Sequence, residues 1–172
     1  RHWHVVGCRR YWLLPISPVR SCAGLSAVWH WPAAERAGRE ERRRSTVLKV
    51  LIADDSKMMR VMHVRSLRQV GYEVEATEAN NGEEALAAFE PGKFDLVIVD
   101  WNMPGMDGIE FVRAAREKEQ GMSGRTPILM ITSQSTEEQM LKAKEAGVDK
   151  ILTKPVTAEA LGAALEMLLA RA

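Results

Sequence analysis

Asp95-Leu-Val-Ile-Val-Asp-Trp-Asn-Met-Pro-Gly-Met-Asp-Gly108 decides how the chain folds. Its four consecutive apolar residues, Leu96 to Val99, are too few for a helix. Bounded by Asp95 and the Pro104-Gly105 breaker, they read as a fully buried strand of a parallel sheet. Such a strand delivers its next residue, Asp100, to the carboxyl edge of the sheet, where α/β proteins carry their chemistry. Asn102 follows, and Pro104-Gly105 turns the chain before a helix that starts near Gly108. Alone, an acid in that place is equally consistent with capping a helix or solvating a loop.

Three further strand-like runs end in reactive side chains. Val47 to Ala53 ends in Asp54-Asp55, Pro127 to Thr132 ends in a hydroxyl, and Lys150 to Thr153 ends in Lys154-Pro155. Each has a bland alternative: a helix N-terminus that favours anions, a strand-end cap, a solvated lysine. The four together, at four strand ends, do not. Between them lie helical patterns. Residues 57–70 carry Met58, Val61, Met62, Val64, Leu67 and Val70 with Arg60, Arg65 and Arg68 between, stopped by Gly71. Tyr72 to Thr77 alternates strictly, as a half-exposed edge strand does. After the Asn80-Asn81-Gly82 turn, a short helix runs from Glu83 to Phe89 with Glu83 and Glu84 at its positive end. A helix from Gly108 to Glu119 buries Ile109, Val112 and Ala115; another runs from about Thr136 to a stop at Gly147; and Thr157 caps a last helix to about Ala170. Five strands alternating with five helices predict an α/β domain, a parallel sheet covered on both faces.

Over residues 47–172 this pattern resembles the response-regulator receiver domain, the CheY-like family, and Asp100 to Gly108 carries the likeness most closely. The resemblance implies a doubly wound, flavodoxin-like sheet of order 2-1-3-4-5. It implies that Asp100 is a phosphoacceptor nucleophile that becomes an aspartyl phosphate. It also implies that Asp55 and Asp100 bind Mg2+ directly, Asp54 through water and Asn102 through its backbone carbonyl. Three converging carboxylates repel one another unless a divalent cation neutralises them, and an all-oxygen ligand set suits Mg2+ better than zinc. Phosphoryl transfer needs in-line positioning and charge cancellation, for which the resemblance assigns Lys154 and Thr132 to phosphoryl oxygens and a cis bond to Lys154-Pro155.

The expected protein is then a cytoplasmic phosphorylation switch, not a conventional enzyme. Its expected partners are a sensor histidine kinase and a downstream protein target or histidine phosphotransfer protein, met through the fourth helix, last strand and last helix. A phosphorelay intermediate, or a degenerate receiver used as a constitutive binding module, are the alternatives. Ile151 stands where the family commonly has an aromatic switch residue, and Gln134 and Asn102 stand where phosphate lifetime is tuned. A haloacid-dehalogenase phosphatase would need a second acid where Asn102 stands, and an FMN site would be repelled by Asp54-Asp55.

Composition divides the chain at about residue 46. Residues 1–46 hold nine Arg and three Glu, a formal charge of +6; the 15 basic and 20 acidic residues that follow leave −5. Both Cys, four of the five Trp and three of the four His lie in the first segment, and none of the nine Met. It shows no helical or strand period, and Pro15, Pro18 and Pro32 interrupt it. The spacing of Cys8, Cys22 and nearby His fits no usual zinc pattern. Its longest uncharged stretch, Ser21 to Ala34, is 14 residues, short of the roughly 20 that span a membrane. Specific nucleic-acid binding is not expected, since no basic helical domain accompanies the acidic receiver. We read residues 1–46 as a poorly structured or non-native extension, with Val47 a candidate start, which the intact mass of the mature protein checks.

Overall fold

A computed structural model describes residues 47–133 and 136–170. The expectations for residues 1–46 and for Gln134 lie outside the described residues. Strands β1 (Val47–Ala53), β2 (Glu73–Ala79), β3 (Leu96–Asp100), β4 (Ile128–Thr132) and β5 (Lys150–Thr153) alternate with helices α1 (Lys57–Gln69), α2 (Gly82–Ala88), α3 (Gly108–Lys118), α4 (Glu137–Ala146) and α5 (Ala158–Leu169). All strand pairs are parallel and the order is β2-β1-β3-β4-β5. This is the CheY-like, flavodoxin-type sheet that the resemblance implied.

Hydropathy explains the order. Strands β3 and β4 are buried at every residue and occupy the interior beside β1, whereas β2 and β5 carry partly exposed residues and take the edges. Alternate residues feed two cores. Leu51, Val97, Val99, Ile128 and Met130 pack with Phe89 and Phe111 on one face; Val50, Ile52, Ile98, Leu129 and Ile131 pack with Leu67, Leu161 and Leu165 on the other. Phe89 and Phe111 meet edge to face with centroids 6.1 Å apart, a favoured arrangement of ring quadrupoles.

Helix ends follow the local chemistry. The side chains of Asn81, Asp107, Thr136 and Thr157 each accept a hydrogen bond from the first turn of the helix they precede, and Asp107 and Thr136 form complete capping boxes. Gly147 ends α4 at φ 101, where a β-carbon would be strained.

Two expectations shift. β2 begins at Glu73 and extends to Ala79, because it pairs residue for residue with β1, from Val47 with Glu73 to Ala53 with Ala79. More importantly, the apolar spacing located α1 but not its inner face. Arg60, His63 and Leu67 are buried, whereas Met58, Val61 and Met62 are 73, 52 and 50 % exposed. Arg60 turns inward because acceptors await it: Nη1 donates to the Asp54 carbonyl at 2.8 Å and Nε to Glu78 Oε2 at 2.8 Å. Among the described residues no helix is long and apolar enough to cross a membrane.

Candidate functional site

Because every strand runs the same way, the residues at the ends of β1, β3, β4 and β5 emerge on one edge of the sheet. Asp100 is the last residue of β3, Thr132 the last of β4, and Asp54-Asp55 and Lys154 immediately follow β1 and β5. Lys154 Nζ lies 2.9 Å from Asp100 Oδ2 and 3.4 Å from Asp54 Oδ2. The remaining oxygen of each buried acid is held by backbone: Trp101 N donates to Asp100 Oδ1 at 2.9 Å and Ser56 N to Asp54 Oδ1 at 2.8 Å. Asp54, Asp55 and Asp100 each offer an oxygen within 4.8 Å of the others. Asp54 and Asp100 are buried and Asp55 is exposed.

The end of β5 is fixed to its neighbour, since Lys154 N donates to the Thr132 carbonyl at 2.8 Å, and the Lys154-Pro155 bond is cis. Thr132 is itself buried. Asn102 is exposed in the loop two residues beyond Asp100. That loop is folded back so that Gly108 N donates to the Trp101 carbonyl at 3.0 Å, bringing the first turn of α3 against the backbone of Asp100 and Trp101.

The response regulator receiver domain, as a family, matches residues 50–166 of this chain. The chain belongs to that family. The chemotaxis protein CheY of Pseudomonas aeruginosa is 38 % identical over 124 residues, which cover 72 % of this chain and 98 % of that protein. CheY-3 of Vibrio cholerae is 39 % identical over 72 % of this chain and 93 % of its own length. Among solved structures, CheY4 of Vibrio cholerae superposes with a TM-score of 0.63 at 41 % identity, covering 72 % of this chain and all of that one. A Francisella receiver, response regulator 1452, gives 0.62 at 28 % identity, over 72 % of this chain and 98 % of its own. Receiver domains act in two-component signalling as phosphoacceptors that meet kinases and downstream targets, and they bind Mg2+ at an acidic pocket.

The acidic pocket of this receiver has the chemistry for such an ion. Its donors are all carboxylate oxygens, and one ammonium leaves the cluster with surplus negative charge. Burial raises the Asp100 carboxyl above its ordinary range, with the charge of Asp54 adding, although the hydrogen bond from Lys154 opposes it. Burial alone would lower the Lys154 ammonium, but its hydrogen bond to Asp100 and the charges of Asp100 and Asp54 carry it above its usual value. Both shifts favour a proton where a cation would serve as well.

The sign of the resulting pH dependence is definite. Asp100 has a folded-state value above its unfolded one, so its contribution is fully present below the unfolded value of about 3.8 and is lost as pH rises through the folded value. Asp100→Asn, which cannot ionise, is therefore expected to melt higher than wild type at neutral pH in EDTA and to lose part of the pH slope. Thermal melts across pH 4 to 7 check this, and an Asn variant that melts lower at pH 7 would contradict it.

Sequence reasoning missed Arg60, His63 and Gly108 as parts of this site. Arg60 and His63 stand three apart among apolar residues, six and nine positions after Asp54, a spacing that marks one helical face but does not say that the face is buried. Ile151, at the expected aromatic position, is half-buried beside Met130 and packs with the α3 and α4 core.

Proposed function

We propose that the protein is a phosphorylation switch in which Asp100 takes the phosphoryl group of a phosphohistidine on a sensor kinase. A carboxylate oxygen of Asp100 bonds to phosphorus, the P–N bond breaks, and the electron pair leaves with the imidazole nitrogen, which takes up a proton. The single observation that carries this reading is the Lys154 ammonium, 2.9 Å from Asp100 inside a cluster of three carboxylates at the sheet edge.

Lys154 is placed to follow the phosphoryl oxygens as charge develops there, since it already pairs with the oxygen they would join. Mg2+ held by Asp55 and Asp100, by Asp54 through water, and by the Asn102 carbonyl would cancel charge on a further oxygen. The Trp101 and Ser56 amides hold Asp100 and Asp54 in orientation, which leaves little reorganisation for the transfer itself.

Thr132, buried at the end of β4, reports the event by moving its hydroxyl toward the phosphoryl group. Lys154 and Thr132 are joined through the Thr132 carbonyl, so the movement reaches β5 and the surface of α4, β5 and α5 on which a protein target docks. Ile151 makes that coupling an aliphatic repacking rather than an aromatic rotation. The setting is cytoplasmic, with a histidine kinase, and a protein target or histidine phosphotransfer protein, as partners; two relatives named as chemotaxis proteins support an output of that kind.

The test uses acetyl phosphate as donor. Intact mass should show one phosphoryl group per chain with Mg2+, none with EDTA, and none for Asp100→Asn in either. A folded wild type that takes up nothing would leave a degenerate receiver that binds its partner constitutively.

A further inference from the structure

Helix α1 turns two polar side chains inward, and both aim at Asp54. Arg60 is occupied with the Asp54 carbonyl and Glu78. His63 is not. It is 3 % exposed, its Nε2 has no hydrogen-bond partner, and that nitrogen stops 3.9 Å from Asp54 Oδ2. An unpartnered polar atom at such depth costs stability, and a leucine would occupy the space without that cost. Packing alone is a poor reason for a histidine here.

The Asp54 carboxylate shows what the nitrogen faces. Oδ1 is taken by the Ser56 amide at 2.8 Å. Oδ2 has the Lys154 ammonium at 3.4 Å, a longer contact than the 2.9 Å from Lys154 to Asp100. Oδ2 therefore lies between a cation held more closely by Asp100 and a ring nitrogen that has no hydrogen-bond partner.

We infer that His63 is a positioning residue for Asp54, donating from Nε2 to Oδ2 in the state in which Lys154 has withdrawn from that oxygen. An ammonium and a divalent cation repel each other across one small carboxylate cluster, whereas an uncharged N–H donor beside the same acid does not. Closing the 3.9 Å gap to hydrogen-bond length takes a movement of about 1 Å. Donors that orient the acids around a metal are worth about 10- to 100-fold in its affinity. The inference rests on the metal-binding reading above and adds to it a residue outside the carboxylate set.

Wild type, His63→Leu and His63→Gln, each as the full chain, are melted in EDTA and in stepped MgCl2. The EDTA melt reports the fold, and the rise with Mg2+ gives an apparent Kd. His63→Leu should melt at or above wild type in EDTA, because the unpartnered atom is gone, yet bind Mg2+ about tenfold or more weakly. His63→Gln, whose amide N–H reaches about as far as Nε2, should recover most of that affinity. A histidine with only a structural role would move stability and affinity the same way.

The inference is overturned by a Leu variant with wild-type affinity, by one that melts below wild type in EDTA, or by a Gln variant no better than Leu. A wild type that melts cooperatively in EDTA and gains nothing from Mg2+ removes the metal reading and this inference together. That result is distinct from a wild type and a Leu variant that respond equally.

Discussion

Arg116→Ala is expected to destabilise the receiver by about 3 to 5 kcal/mol, the usual cost of leaving one partner of a buried ion pair behind. Arg116, on α3, works at the amino-terminal edge of the sheet, opposite the acidic site. Its Nη1 donates to Glu119 Oε2 at 2.6 Å and to the Thr126 carbonyl at 2.8 Å; its Nη2 reaches Asp149 Oδ2 at 2.7 Å and the Gly147 carbonyl at 3.0 Å. One planar fork thus ties α3 to the segments that enter β4 and β5. A lysine, with a point charge, cannot serve four acceptors in that geometry.

The loss falls mainly on Glu119. Its side chain is 5 % exposed and its other oxygen accepts from Thr126 N, so it cannot turn out to water without releasing the segment that leads into β4. Asp149 is less affected, because Arg125 also reaches it at 2.8 Å. Urea unfolding measures the change. A value below about 1 kcal/mol would mean that the network contributes only as an exposed pair does. The double variant Arg116→Met with Glu119→Met should recover much of the loss, since replacing both partners removes the uncompensated charge.

Gly108→Val is the second large effect, and it acts on stability and chemistry together. A β-carbon at Gly108 would overlap the Asp100 carbonyl oxygen and come within 3.1 Å of the Trp101 Cα. Both are backbone, so no rotamer change relieves the clash. Either α3 withdraws or Asp100 moves. Overpacking of this kind costs about 1 to 3 kcal/mol, and more where backbone must yield. With Asp100 as the proposed nucleophile, a displacement of about 1 Å there slows transfer by roughly 100-fold. Gly124→Ala is the control, as nothing lies within 4 Å of its β-carbon and its φ is not positive. It should stay within about 0.5 kcal/mol of wild type. Phosphoryl uptake from acetyl phosphate, alongside unfolding, separates the two. A Gly108→Val protein with normal uptake would show that close packing of α3 does not position Asp100.

By itself the sequence determined the alternation of five strands with five helices and the residues that end each strand. Those signals are local: a short apolar run, a breaker, a capping side chain, all readable within a few residues. Once the strands are parallel, their carboxyl ends must share one edge, so Asp54, Asp55, Asp100, Thr132 and Lys154 were legible as neighbours from connectivity alone. The strand order followed from resemblance, not from periodicity.

Only the tertiary structure decided the rest. That Lys154 pairs with Asp100, 54 positions away, depends on how β5 is seated against β4. That Arg60 faces inward while Met58 and Met62 face out contradicts hydropathy, because burial of a polar group is set by its partner. For Arg60 the partners are Glu78 and the Asp54 carbonyl, brought to α1 by the pairing of β2 with β1. Gly108 reads as a helix start in the sequence, and its lack of a side chain matters because the Asp100 backbone passes beside it. In each of these cases a polar or steric demand is met by a group outside the helix that carries the residue, and the period of that helix carries no information about it.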